Sequence, residues 1–278
     1  MEWMTRDITL GGQRISYVQD GPRDRSVLLI HGNSSSKAAF RDQCAQLVQS
    51  GYGVLAFDLP GHGASADALN PAEDYTISAY AKTAAALCEA TGVTRPLLCG
   101  WSLGGHVAIQ MAGETPDYAG LMIFGTPPIG LNLEDAANAF LPGEFNHVTG
   151  LETPSEAELS GYLSAVYGAA AAIPDELLQT GVRTDGRSRA FMVQHWQSGQ
   201  DLHDQRAIVE TWPGPLLILH GVKDPFVSAD YFSSLDLTSK AGTHPFKLLE
   251  TVGHAPFLET PSAFNRMLLD FCETCFDA

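Results

Sequence analysis

The sequence predicts an α/β fold, a mostly parallel central sheet flanked by helices and interrupted after its sixth strand by a helical cap. Three observations lead there. From residue 26 onward, short aliphatic runs alternate with longer helical patterns, as βαβ units require. No comparable strand run occurs between residues 125 and 214, where Ala, Glu and Leu recur with helical patterning. A glycine-flanked serine, Gly100-Trp101-Ser102-Leu103-Gly104, also stands between a strand run and an apolar helical run.

Each element can be justified in turn. Ile8 to Leu10 and Arg14 to Val18, joined through Gly11 and Gly12, predict an opening antiparallel hairpin. The core strands are expected at Ser26 to Ile30, Gly53 to Phe57, Pro96 to Gly100, Gly120 to Phe124, Pro215 to His220 and Phe246 to Glu250. Residues 127–208 open on Pro127 and Pro128 and carry helical runs around 155–168, 174–182 and 187–197. An insertion at the carboxyl edge of a parallel sheet, where ligands bind, predicts a cap over the site. Residues 1–126 and 209–278 would then form the core. The alanine run 169–172 is the one low-complexity tract.

Composition narrows the function. The chain has 278 residues, 45% of them hydrophobic, which suits a globular protein with a sizeable core. A net charge of −16 argues against nucleic acid and anionic membrane as partners. Apolar runs such as Val27 to Ile30 are strand-length, too short to span a bilayer. No basic segment followed by an apolar run opens the chain, so a soluble, cytoplasmic protein is expected. The five cysteines are odd in number and scattered, which predicts reduced thiols. Cys272 and Cys275 form a CxxC in an expected helix without a second ligand pair, which favours helix packing over redox or metal chemistry. The sequence assigns no oligomeric state.

The chemistry centres on Ser102. A G-x-S-x-G between strand and helix is the context of a nucleophile elbow, a strained turn that lifts the serine clear of the sheet. Its glycines leave room for the backbone to fold tightly around the serine. His31-Gly32-Asn33 follows the strand Ser26 to Ile30, where this arrangement supplies one backbone N–H to an oxyanion hole. Asn33 and Leu103 are therefore the expected pair of donors.

Among nine histidines, His254 in Gly253-His254-Ala255-Pro256-Phe257 is the best-placed base, on a loop just past the last strand. His62, His106 and His220 sit in a turn, a helix and a strand pattern, where structural roles are expected. Asp224, in Asp224-Pro225-Phe226-Val227, follows the strand Pro215 to His220. The order Ser102, Asp224, His254 is that of nucleophile, acid and histidine in this type of hydrolase. Asp58 is the rival acid, but it precedes the nucleophile and suits a turn cap.

Five segments together carry a resemblance: His31 to Ser36, Asp58-Leu59-Pro60-Gly61-His62-Gly63, Gly100 to His106, Gly125-Thr126-Pro127-Pro128 and Gly253 to Phe257. With Arg183-Thr184-Asp185-Gly186-Arg187 in the cap, they resemble the metal-independent N-acyl-homoserine lactonases of the α/β-hydrolase superfamily, over about residues 26 to 262. The resemblance implies the α/β-hydrolase fold and a neutral acyl lactone as substrate, opened through an acyl-enzyme without metal or cofactor. It departs from the family pattern at Asp224, where glutamate can stand. It also implies a substrate-contacting cap tyrosine, matched by Tyr162. Trp101, beside the nucleophile, and His31, at the head of the oxyanion loop, are the other expected substrate contacts. A zinc lactonase would instead show His-x-His-x-Asp-His, a spacing these histidines lack.

Two readings compete with the lactonase. The same triad would serve a broad carboxylesterase on short acyl esters. A small-molecule receptor that keeps the triad but signals through its cap is a rival of another class, for which no partner surface is evident. Epoxide hydrolases and haloalkane dehalogenases attack with a carboxylate, which Ser102 argues against.

Overall fold

A computed structural model of the chain describes residues 3–115, 117–168, 173–199, 203–238 and 245–277; the alanine run 169–172 lies outside them. The strands are β1 (Arg6–Leu10), β2 (Gln13–Asp20), β3 (Ser26–Ile30), β4 (Gly53–Phe57), β5 (Leu97–Trp101), β6 (Gly120–Phe124), β7 (Leu216–Gly221) and β8 (Phe246–Leu249). They form one sheet in the order β1-β2-β4-β3-β5-β6-β7-β8. The first two pairings, β1 with β2 and β2 with β4, are antiparallel, and every other pairing is parallel. The expected hairpin is present, and Gly11 and Gly12 both take positive φ at its turn.

Burial explains the strand sequences. Every residue of β3 to β7 is buried, because helices cover both faces. The edge strands β1 and β8 carry exposed residues, including Arg6, Asp7 and Lys247.

The helices are α1 (Arg41–Gln49), α2 (Pro71–Asp74), α3 (Ile77–Thr91), α4 (Leu103–Glu114), α5 (Leu133–Ala139), α6 (Glu156–Tyr167), α7 (Asp175–Arg183), α8 (Gly186–Ser198), α9 (Gln205–Thr211), α10 (Pro256–Glu259) and α11 (Pro261–Phe276). Of these, α4 is buried from Leu103 through Ala112, the mark of a helix packed on all sides. Cys272 is buried on α11 with Phe264, Leu268 and Phe271, and all five cysteines are free thiols.

Between β6 and β7 the described residues are helical, α5 to α9 with a short 3-10 turn at Asn146–Gly150. The expected boundary at 208 falls inside α9, which packs against α4. No helix among the described residues is long and apolar enough to cross a membrane. The parallel strands end at one sheet edge, so the loops after β3, β5, β6, β7 and β8 converge there.

Candidate active site

The turn after β5 supports the reading of Ser102. Its φ is +54°, in the left-handed region that non-glycine residues rarely occupy. The turn is pinned from below: Ser102 N–H donates to Phe124 O at 3.0 Å, and Thr126 Oγ1 donates to Ser102 O at 3.0 Å. A Cβ at Gly104 would run into the backbone carbonyls of Ile30 and His31, so glycine is required there.

The loop after β7 carries Asp224, and the loop after β8 carries His254. Asp224 Oδ2 lies 2.6 Å from His254 Nδ1. Asp224 Oδ1 accepts from the backbone N–H groups of Phe226 at 2.8 Å and Val227 at 3.1 Å. Burial opposes the charge on Asp224, but the adjacent His254 and these hydrogen bonds outweigh it and hold the carboxyl below its ordinary pKa. The arrangement leaves Nε2 as the free end of the His254 ring, the geometry of a base whose Nδ1–H is anchored.

Glu259, on α10, fastens the loop that carries His254. It accepts from Gly253 N–H at 2.9 Å and from Ala255 N–H at 3.1 Å, on either side of His254. Sequence reasoning missed this residue, although a carboxylate five positions after the histidine was a visible signal. Gly125 leaves space for the imidazole, since a Cβ there would stand 3.1 Å from the ring.

Ser102 and His254 meet at one cavity of about 360 Å³. Its floor comes from the loops at the sheet edge, including Asn33, Leu103 and Gly125, and its walls from the inserted helices. Phe140, Val166, Met192 and Trp196 of the insertion, with Phe226 of the loop after β7, make the lining largely apolar. Leu103 is the first residue of α4, so its N–H is among the donors a helix start leaves without an internal acceptor. The Asn33 side chain is turned to the insertion, where its amide donates to Thr149 O at 3.0 Å.

The proposed substrate contacts divide. Tyr162 lines the cavity with its ring against Phe226 at 5.8 Å, and its hydroxyl has no hydrogen-bond partner among the described residues. Burial raises its pKa, so it remains a neutral donor. Trp101 is placed differently from the expectation. Its indole is fully buried behind His254 and outside the cavity wall, where Nε1–H donates to His254 O at 2.8 Å. Consecutive residues at a strand end point to opposite sides, so the neighbour of Ser102 turns away from the cavity.

His31 also lies behind the wall. Its Nδ1 is 2.8 Å from Gly32 O, and its Nε2 accepts from Leu59 N–H at 3.0 Å, so both nitrogens are used by backbone. Burial lowers its pKa to about 4. His106, expected to be structural, is bonded to Gln205 Oε1 at 2.7 Å and also lines the cavity. Its position in the first turn of the helix that follows Ser102 was the signal that could have found it.

Asp58 is engaged elsewhere. Lys37 Nζ donates to its Oδ2 at 2.6 Å, and the backbone N–H groups of Lys37 and Ala64 donate at 2.7 and 2.8 Å. The cap motif Arg183 to Arg187 grips this same loop. Asp185 N–H donates to Gly61 O at 2.9 Å, Asp185 Oδ2 accepts from the Tyr75 hydroxyl at 2.5 Å, and Arg183 donates to Ser65 O at 2.7 Å. Among the described residues, no group of three or more His, Cys, Asp or Glu is arranged to hold a metal ion.

Comparison with known proteins gives a consistent picture. The model of the alpha/beta hydrolase family matches residues 27–267. Protein ABHD8 of Mus musculus is 30% identical over 265 residues, which cover 93% of this chain but only 57% of that protein. The chain thus spans little more than half the length of the first curated relatives it matches. A pimeloyl acyl-carrier protein methyl ester esterase of Neisseria meningitidis serogroup B is 27% identical over 90% of this chain and 93% of its own. Among solved structures, the N-acyl homoserine lactonase AidH complexed with N-butanoyl homoserine superposes with a TM-score of 0.90 at 32% identity. That match covers 99% of this chain and 98% of AidH.

Proposed function

The chain belongs to the alpha/beta hydrolase family, and from that premise we propose that it is a serine hydrolase that opens the lactone ring of N-acyl homoserine lactones. A hydrolase of esterase type follows from the fold and its relatives; the lactone is the finer reading. The observation that carries it is the likeness to AidH over 99% of this chain, which takes in the inserted helices as well as the sheet.

In this reading Ser102 Oγ attacks the lactone carbonyl while His254 Nε2 takes its proton. Asp224 holds the imidazole by Nδ1 and stabilises the imidazolium that forms. The N–H groups of Asn33 and Leu103 receive the developing oxyanion, each contributing on the order of 3 kcal/mol. Collapse of the tetrahedral adduct breaks the ring C–O bond, and His254 returns the proton to the released homoserine hydroxyl. Water, deprotonated by the same histidine, then cleaves the acyl-enzyme and frees N-acyl homoserine. The Tyr162 hydroxyl orients the bound substrate, and α5 to α8 form the cap whose apolar wall takes the acyl chain.

A broad carboxylesterase is the second reading, favoured by the likeness to the Neisseria methyl ester esterase. Incubation of the purified protein with N-hexanoyl homoserine lactone, followed by mass spectrometry and acidification, tests the proposal. Ring opening adds one water and reverses at low pH, whereas free homoserine lactone would reveal an amidase. A kcat/KM for nitrophenyl esters far above that for the lactone would replace the lactonase by the esterase. Ser102→Ala should abolish turnover in either case.

A further inference from the structure

The cavity has a second polar point that the reaction above leaves unused. His106 stands four residues after Ser102, in the first turn of α4. It is only 4% exposed, and it lines the cavity. Its Nδ1 lies 2.7 Å from Gln205 Oε1, while the Gln205 amide nitrogen donates to the His106 backbone carbonyl at 3.3 Å.

These two contacts decide the tautomer. Turning the Gln205 amide over would set its oxygen against the His106 carbonyl, acceptor against acceptor. With the amide oxygen facing Nδ1, that nitrogen carries the proton and donates. Nε2 of a neutral imidazole is then an acceptor only. Burial keeps the ring neutral, lowering its pKa to about 4. The Trp196 ring packs edge-on at 4.2 Å and 88°, which fixes the tilt of the imidazole. Among the described residues no donor reaches Nε2, so His106 brings to the cavity wall an oriented acceptor without a partner there.

We propose that His106 Nε2 accepts a hydrogen bond from a secondary amide N–H of the substrate, and so selects α-acylamino lactones over lactones that lack this donor. The inference rests on the lactonase reading and adds the group that recognises the amide. Ser102 and His106 line the same cavity, with His106 in the first turn of the helix that follows Ser102. In an N-acyl homoserine lactone the amide nitrogen is two bonds from the scissile carbonyl carbon, so a substrate attacked by Ser102 brings its N–H into the cavity that His106 lines. An ester or ketone oxygen at the same place would face the Nε2 lone pair and be repelled.

The test compares N-hexanoyl homoserine lactone with its methylene analogue, in which CH₂ replaces the amide N–H. Their kcat/KM ratio is measured in wild type, His106→Phe and His106→Gln. The ratio should fall roughly tenfold in the Phe variant, the loss of one buried hydrogen bond, and recover in large part with Gln, whose carbonyl can accept. An unchanged ratio in His106→Phe would overturn the assignment, whatever happens to the absolute rates. If that variant does not fold, the ratio is read in Gln205→Leu, where the tautomer lock is gone. A several-fold fall there supports the assignment, and an unchanged ratio rejects it. Wild-type protein that turns over neither lactone would overturn the lactonase reading itself, and this assignment with it.

Discussion

The indole of Trp101 donates to the backbone carbonyl of His254 at 2.8 Å, across 153 residues of chain. The residue before the candidate nucleophile therefore holds the loop of the candidate base. The ring also packs edge-on against Phe257 at 4.8 Å, on the short helix that follows the base. Trp101→Phe keeps the aromatic packing and removes the donor. We expect kcat on a lactone to fall roughly tenfold, the value of a buried hydrogen bond that sets catalytic geometry. KM should stay within twofold, since the ring is outside the cavity. A rise in KM with constant kcat would mean that Trp101 contacts substrate after all.

Two aspartates competed for the acid, and their partners separate them. Asp224→Asn leaves the shape and removes the charge that faces His254, so kcat should drop by on the order of 10³ or more with little loss of stability. Asp58→Asn leaves Lys37 buried without its counter-ion, the side chains being 7% and 1% exposed in the pair. That change should cost about 3 kcal/mol of unfolding free energy in urea titrations, while the folded fraction keeps most of its kcat. The reverse pattern would make Asp58 the acid.

The elements were legible wherever a local pattern had one physical solution. Fully apolar runs between glycines and prolines read as buried parallel strands, and β3 and β4 begin and end where their sequences predict. Ser102 was legible because few other turns need that glycine pattern. What lay hidden depends on contacts between distant segments. Trp101 and His31 adjoin the site in sequence and so read as substrate contacts, but adjacency does not say which way a side chain turns. The partners that settle it, His254 for one and Leu59 for the other, are 153 and 28 residues away. His106 was missed for the converse reason: its cavity role depends on Gln205 and Trp196, which belong to other helices.

Tyr162 offers a neutral hydroxyl to the cavity, without a hydrogen-bond partner among the described residues. Its loss should therefore weaken substrate binding without disturbing the fold. For Tyr162→Phe we expect kcat/KM on N-hexanoyl homoserine lactone to fall roughly five- to tenfold, one uncharged hydrogen bond. The melting temperature should be unchanged or slightly higher, because a partly buried hydroxyl is removed. A fall in melting temperature with constant kcat/KM would assign the tyrosine to packing.

Stability should decline on mild acidification. Burial lowers the pKa of His31 and His106 to about 4 and of His62 to about 3, against about 6.5 in an unfolded chain. Below about pH 6.5 the unfolded state binds protons that the folded state refuses, so stability falls as pH falls, by up to ~1.4 kcal/mol per pH unit for each histidine. Asp224 acts in a lower window. Its folded pKa is depressed, so its contribution is intact above about 3.9 and is lost only as pH drops through the lowered value. Melting temperatures should be flat near pH 7 and drop steeply from about pH 6 downward. His62→Asn can keep a bond to Pro60 O and cannot titrate, so it should flatten that slope; a slope identical to wild type would locate the acid sensitivity elsewhere.

The Arg183 to Arg187 motif pointed toward a lactone from sequence, yet in the structure it fastens the inserted helices to the loop that holds Asp58. Asp185 receives the Tyr75 hydroxyl at 2.5 Å and caps α8 through Arg187 N–H at 3.1 Å. Met192 and Trp196, further along that helix, are cavity wall. Asp185→Ala leaves the buried Tyr75 hydroxyl without its charged acceptor, which should cost about 2 kcal/mol and loosen the start of α8. KM should then rise for lactones and nitrophenyl esters alike, with their ratio of kcat/KM constant within twofold. A variant that kept its stability but shifted this ratio tenfold would show that the motif reads the substrate directly, and that its grip on the 58–67 loop is incidental.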